Sequence, residues 1–172
     1  MLVVATATVF LGTAYPLIID ALTGDKITVG PPYFEYTFAP IMSLLIVFMA
    51  VAPLVKWRTD TFSRIGRTLL ILAGLAIAAV LATMLLGKTF LGAIGIGLAV
   101  WLIGGTLVSY GRKLRIGEAK SAIGNLPKRF AILPGATHGF ALAHLGLAVT
   151  TIGIVSMGVW SDENVDRIKL GE

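Results

Sequence analysis

No cysteine occurs among the 172 residues, so neither a disulfide nor a thiolate-bound metal can hold this chain together. Charge is scarce too. Asp, Glu, Lys and Arg make up 13% of the residues against 56% apolar ones, a balance that a soluble domain of this length does not carry. Carboxylates are missing from every long apolar run. Transporters coupled to protons or sodium place an acid at membrane depth, so that class loses support. No set of nucleophile, base and orienting group stands out. No glycine-rich turn is followed by lysine and serine or threonine, which removes a phosphate-binding loop. Only two histidines are present, His138 and His144.

What remains is apolar sequence in long runs. Five segments have the length and composition of membrane spans: Leu2–Ile19, Pro40–Val55, Thr68–Leu86, Phe90–Tyr110 and Thr137–Trp160. The fold class expected is therefore an all-α polytopic membrane protein with about five transmembrane helices. The net charge of +5 and pI near 9.8 do not describe a nucleic-acid groove, because the basic residues collect in alternate gaps between runs. Lys56, Arg58, Arg64 and Arg67 lie in the gap 56–67 beside Asp60. Arg112, Lys113, Arg115, Lys120, Lys128 and Arg129 lie in the gap 111–136 beside Glu118. Together these gaps hold ten of the fourteen basic residues. By the positive-inside rule both gaps are cytoplasmic, the N-terminus is inside, and the tail 161–172 is outside. The gap 111–136 reads as a surface for anionic lipid headgroups.

The remaining connection, residues 20–39, is expected to be an outer loop. Its stretch Gly30-Pro31-Pro32-Tyr33-Phe34 combines two prolines, which fix φ and keep Gly30 extended, with aromatics suited to an interface. An interfacial anchor and a binding surface both fit that composition. Pro40 is expected in the first turn of the second span, and Tyr15-Pro16 is expected to end or kink the first. Met1 runs into apolar residues with no basic lead, which reads as a truncated start rather than a signal peptide. Residues 161–172 turn polar and alternate loosely, like the first strand of a missing periplasmic domain.

The fourth segment carries Gly92, Gly95, Gly97, Gly104 and Gly105 around Trp101, as residues for close helix packing. In the fifth, Gly139, Ala143, Gly146, Thr150 and Gly153 recur at spacings of four and three and form one narrow stripe on a helix. His144 points roughly 140° from the centre of that stripe at 100° per residue, among Ala141, Ala148 and Thr151. Two readings are open for it. An imidazole at membrane depth can link two helices by a hydrogen bond, or it can face a ligand or metal across the space small neighbours leave. His138 belongs near the boundary, where snorkelling accounts for it, and it is not paired with His144.

Three stretches, in order, carry a resemblance to a known family: Leu11-Gly12-Thr13-Ala14-Tyr15-Pro16-Leu17, Val29-Gly30-Pro31-Pro32-Tyr33-Phe34, and Leu142-Ala143-His144-Leu145-Gly146-Leu147-Ala148-Val149. The chain resembles the C-terminal part of the CcmF family, the haem lyase subunit of bacterial cytochrome c biogenesis. The resemblance implies a multi-pass protein of the bacterial inner membrane that takes haem from a haem chaperone. It implies attachment of that haem to the Cys-X-X-Cys-His motif of apocytochrome c. It also implies an intramembrane b-type haem (haem b), with His144 as one axial ligand to the iron. The family's tryptophan-rich haem-handling segment is absent, since Trp57, Trp101 and Trp160 are scattered singly. Its other haem-binding histidines are absent too. The chain is therefore expected to be a fragment or split subunit, not a competent lyase alone, whose second haem ligand lies in a missing N-terminal part or companion subunit. A non-catalytic membrane scaffold, or a transporter subunit, using the small-residue faces for assembly is the alternative.

Overall fold

The computed structural model describes residues 1–55, 62–114 and 126–160. Within them the chain forms six α-helices, α1 Leu2–Thr23, α2 Pro31–Val51, α3 Phe62–Leu85, α4 Phe90–Lys113, the short α5 Leu126–Ile132, and α6 Gly135–Trp160, with one 3-10 turn, Ala52–Leu54, following α2. No strand occurs among the described residues. Five helices, all but α5, are long and apolar enough to cross a membrane. A helix is the one open-ended structure that satisfies its own backbone in hydrocarbon, which is why apolar runs of this length take no other form.

The prolines depart from expectation. The loop expected over residues 20–39 shrinks to 24–30, because α1 continues to Thr23 and α2 already begins at Pro31. Gly24 closes α1 with φ +74 and donates its N–H to the Asp20 carbonyl at 3.0 Å. Gly30 is extended, at φ −94 and ψ −177, but as the residue that precedes a helix. The first N–H groups of a helix have no intrahelical partner, so Pro31 and Pro32 lose nothing at the start of α2. Pro40 lies within α2 rather than in its first turn, and Pro16 lies within α1 without ending it. Each removes one hydrogen bond, whereas breaking the helix there exposes several more groups to a medium that cannot solvate them. The expected strand at 161–172 lies outside the described residues, as do 56–61 and 115–125 of the two basic gaps.

Helix α4 is the centre of the bundle. Over its apolar window 39% of residues are buried, against 11–17% in the other four spans. It packs against α2, α3 and α6, while α1 packs on α2. Its glycines make this possible. A Cβ added at Gly105 meets the Cβ and the carbonyl oxygen of Ala50 in α2, each at 2.8 Å. One at Gly97 or Gly104 meets Val80 or Leu72 of α3, and one at Gly95 meets Val155 of α6. Different glycines of one helix thus receive three neighbours, as expected where backbone approach replaces the hydrophobic drive that lipid cancels. Ile46 and Ala50 of α2, Leu102 of α4 and Ala148 of α6 form the buried centre. Trp101 packs beside them and donates its Nε1–H to the Val47 carbonyl at 3.2 Å, joining α4 to α2.

Candidate cofactor site at His144

The first two of the three stretches that carry the resemblance meet in space. Tyr33, in the first turn of α2, lays its ring against Gly12 of α1, where any Cβ collides with it. Its hydroxyl donates to the Thr8 carbonyl at 3.0 Å. Phe34 stands edge-on to Tyr33, centroids 5.2 Å apart, and also borders Gly12. Gly30-Pro31-Pro32-Tyr33-Phe34 therefore starts α2 and latches it to α1. The sequence carried a signal for this, an aromatic pair directly after helix-starting prolines, with a glycine in the preceding helix to receive it.

The third stretch lies on α6. Ala141 and Ala148, with 7% and 0% exposure, turn toward α4. The face that small residues were expected to leave roomy is thus largely filled, because alanines there let α4 come close and Val155 seats over Gly95. The stripe of Gly139, Ala143, Gly146, Thr150 and Gly153 is exposed along its whole length. A Cβ at Gly139, Gly146 or Gly153 meets nothing within 4 Å. Packing inside this chain uses the opposite side of α6.

His144 sits on the flank of the packed face and is half-buried. Its Nδ1 lies 2.9 Å from the Phe140 carbonyl, one turn earlier. A carbonyl only accepts, so Nδ1 donates its N–H, and of the two neutral tautomers this bond selects the one with its lone pair on Nε2. The Phe140 ring stacks on the imidazole with centroids 3.9 Å apart and planes at 38°, while the Lys113 ammonium lies 5.2 Å from the centroid of that phenyl ring. No partner for Nε2 occurs among the described residues, nor does any enclosed, unpaired side-chain atom, so Nε2 opens at the surface of the helix. One nitrogen fixed by a backbone carbonyl and the other presented with its lone pair is how proteins prepare a metal-binding imidazole. His, Cys, Asp and Glu form no cluster of three or more among the described residues, so His144 offers a single donor rather than a complete cage.

His138 is occupied elsewhere. Its Nε2–H donates to the Phe130 carbonyl of α5 at 3.2 Å, and its Nδ1 accepts from the Tyr110 hydroxyl of α4 at 2.7 Å. Rather than snorkelling, it joins three helices, and both nitrogens are used. Spacing along α6 gave no hint of this, because Tyr110 and Phe130 come from other elements. It does not share a site with His144, which lies about 9 Å further along the helix axis.

Comparison with known proteins finds relatives that match along nearly the whole chain. Over 99% of its length the chain is 41% identical to a cytochrome c-type biogenesis protein CycK of Rhizobium meliloti. It is 37% identical over 98% of its length to the cytochrome c-type biogenesis protein CcmF of Pseudomonas aeruginosa, and 33% identical over its full length to that of Escherichia coli. In each case the match covers 25% of the relative, so the chain spans about a quarter of the length of these proteins. No family model and no solved structure matches it.

Proposed function

From a chain homologous along its whole length to a quarter of the CycK and CcmF cytochrome c-type biogenesis proteins, we propose a role in cytochrome c maturation, as part of a membrane haem lyase. His144 Nε2 is one axial ligand of a b-type haem held at membrane depth. The single observation that carries this reading is the imidazole itself, held through Nδ1 by the Phe140 carbonyl with Nε2 unengaged. Its donor chemistry fits haem iron, which takes neutral imidazole as an axial ligand and whose potential follows ligand and burial. Phe140 orients the ring through its carbonyl and its own stacked phenyl. The second ligand comes from the remaining part of the lyase or a companion subunit. The haem chaperone and apocytochrome c are the partners of that whole assembly. The two basic gaps face the cytoplasm, and the bacterial inner membrane holds the helices.

Co-expression with the remaining part of a CcmF-type protein tests the assignment. A membrane complex with a b-type absorbance is expected, and His144→Ala removes or strongly weakens that band at unchanged complex yield. An unaltered spectrum sinks the role of His144.

The open stripe on α6 favours a second reading, a scaffold whose stripe seats another membrane helix. Gly146→Leu then prevents assembly while His144→Ala leaves both assembly and cytochrome c maturation intact.

A further inference from the structure

Lys113 is held against the flank on which His144 lies. Its ammonium stands 5.2 Å from the centroid of the Phe140 ring, and that ring stacks on the imidazole with centroids 3.9 Å apart. Laid end to end, these two separations are the greatest distance the ammonium can have from the imidazole centroid. A lysine at the end of a membrane-spanning helix ordinarily stretches its stem toward water. This one, the last residue of α4, instead crosses to α6 and lies over an aromatic ring. A ring face is a weak hold for an exposed ammonium, and a carboxylate within reach is a stronger partner.

Lys and Arg occur twice in α4 and α6 together, as Arg112 and Lys113, and Asp and Glu not at all. Arg112 turns to α3, where it donates to the Thr68 hydroxyl at 2.8 Å. Lys113 is thus the cation of this helix pair that the structure ties to the imidazole's side. No acid pairs with it among the described residues. Asp60 and Glu118, in the two basic gaps, lie outside them.

The haem proposed at His144 brings an acid of its own. Its propionates sit at one edge of the macrocycle and are ionised at neutral pH. The macrocycle lies across the axis from iron to axial nitrogen, so its edges extend past the flanks of the imidazole. The start of α6 lies beside the end of α4, as the bond between Tyr110 and His138 shows. Phe140 is four residues nearer that start than His144, about 6 Å along the axis. Lys113 therefore marks the flank toward the basic end of α4. A carboxylate taken to membrane depth loses hydration that a cation must replace. We propose that Lys113 is the counter-ion of a haem propionate and turns the acidic edge of the macrocycle toward the basic end of α4. Phe140 then serves both partners, orienting the imidazole and holding the ammonium beside it. That role rests on the haem reading of His144 and adds to it the orientation of the macrocycle.

The complex with the remaining part of a CcmF-type protein, made in haem-starved cells, is titrated with haem and with haem dimethyl ester, whose propionates carry no charge. The b-type absorbance reads both affinities. The parent is expected to bind haem more tightly than the diester. Lys113→Gln lowers haem affinity roughly tenfold, the scale of one charge-assisted hydrogen bond, and leaves the affinity for the diester unchanged. Lys113→Arg keeps the preference for haem, and Glu118→Gln does not reduce it. Equal affinities for the two ligands in the parent overturn the proposal, as does a Lys113→Gln variant that weakens both alike or neither. A matching fall in Glu118→Gln makes that carboxylate the partner of Lys113 and overturns it too. His144→Gly tells the two levels apart. A b-type band that survives it removes the haem from His144, and the role of Lys113 with it. Loss of the band with both ligands, while Lys113→Gln fails to discriminate between them, overturns the counter-ion alone.

Discussion

Gly105→Ala and Gly146→Ala add the same methyl group to two membrane-spanning helices, yet they should move stability in opposite directions. Both substitutions remove backbone freedom from the unfolded chain and gain helix propensity, worth up to about 1 kcal/mol. At Gly146 nothing lies within 4 Å of the new Cβ, so the gain stands alone. At Gly105 the Cβ falls 2.8 Å from the Ala50 carbonyl oxygen and 3.1 Å from its Cα. These are backbone atoms of α2, which cannot swing aside as the end of a side chain can. Restoring an ordinary separation of ~3.5–4.0 Å moves α2 and α4 apart by about 1 Å. That displacement disturbs the Trp101 bond to Val47 and the cluster of Ile46, Ala50, Leu102 and Ala148. Overpacking of this kind costs ~1–3 kcal/mol, so Gly105→Ala comes out less stable than Gly146→Ala by about that amount. Equilibrium unfolding of both variants in mixed micelles, followed by far-UV circular dichroism and by tryptophan emission, measures the difference. Equal stability of the two refutes the placement of α4 as the helix that receives its neighbours on glycine.

Other consequences are as direct. Tyr33→Phe removes the hydroxyl bond to Thr8 and loosens α1 by ~0.5–1.5 kcal/mol, read as faster amide exchange in α1 than in α4. Tyr110→Phe leaves the His138 Nδ1 without its donor and destabilises the junction of α4, α5 and α6 by about 1 kcal/mol, measured by the same unfolding titration. Phe140→Leu keeps the carbonyl that holds His144 but removes the stacked ring. In the haem-loaded complex it should broaden the b-type band without abolishing it, and a band identical to that of the parent denies Phe140 a positioning role.

Five membrane-crossing helices were legible because apolar length is a strong signal that needs no partner to interpret. The second helix was misplaced for a physical reason. Rules for proline drawn from water assume that a broken hydrogen bond can be solvated, and Pro16 and Pro40 sit inside helices where it cannot. Gly30 was read correctly as extended, but the prolines after it open a helix instead of stiffening a loop. The glycines of α4 could be recognised as packing residues, though not which neighbour each one meets. On α6 the periodicity separated His144 from the small-residue stripe, yet it did not tell which side faces α4. That depended on Gly95 and Val155, sixty residues apart in sequence and in contact only after folding. The tie between His138 and Tyr110 was hidden for the same reason.

The central claim is that His144 presents Nε2 to haem iron. Replacing it by glycine leaves a gap that free imidazole fits. In the complex with the remaining part of a CcmF-type protein, His144→Gly should lose the b-type absorbance and regain it when imidazole is added, while His138→Gly keeps it throughout. A b-type spectrum that survives His144→Gly without imidazole contradicts the account.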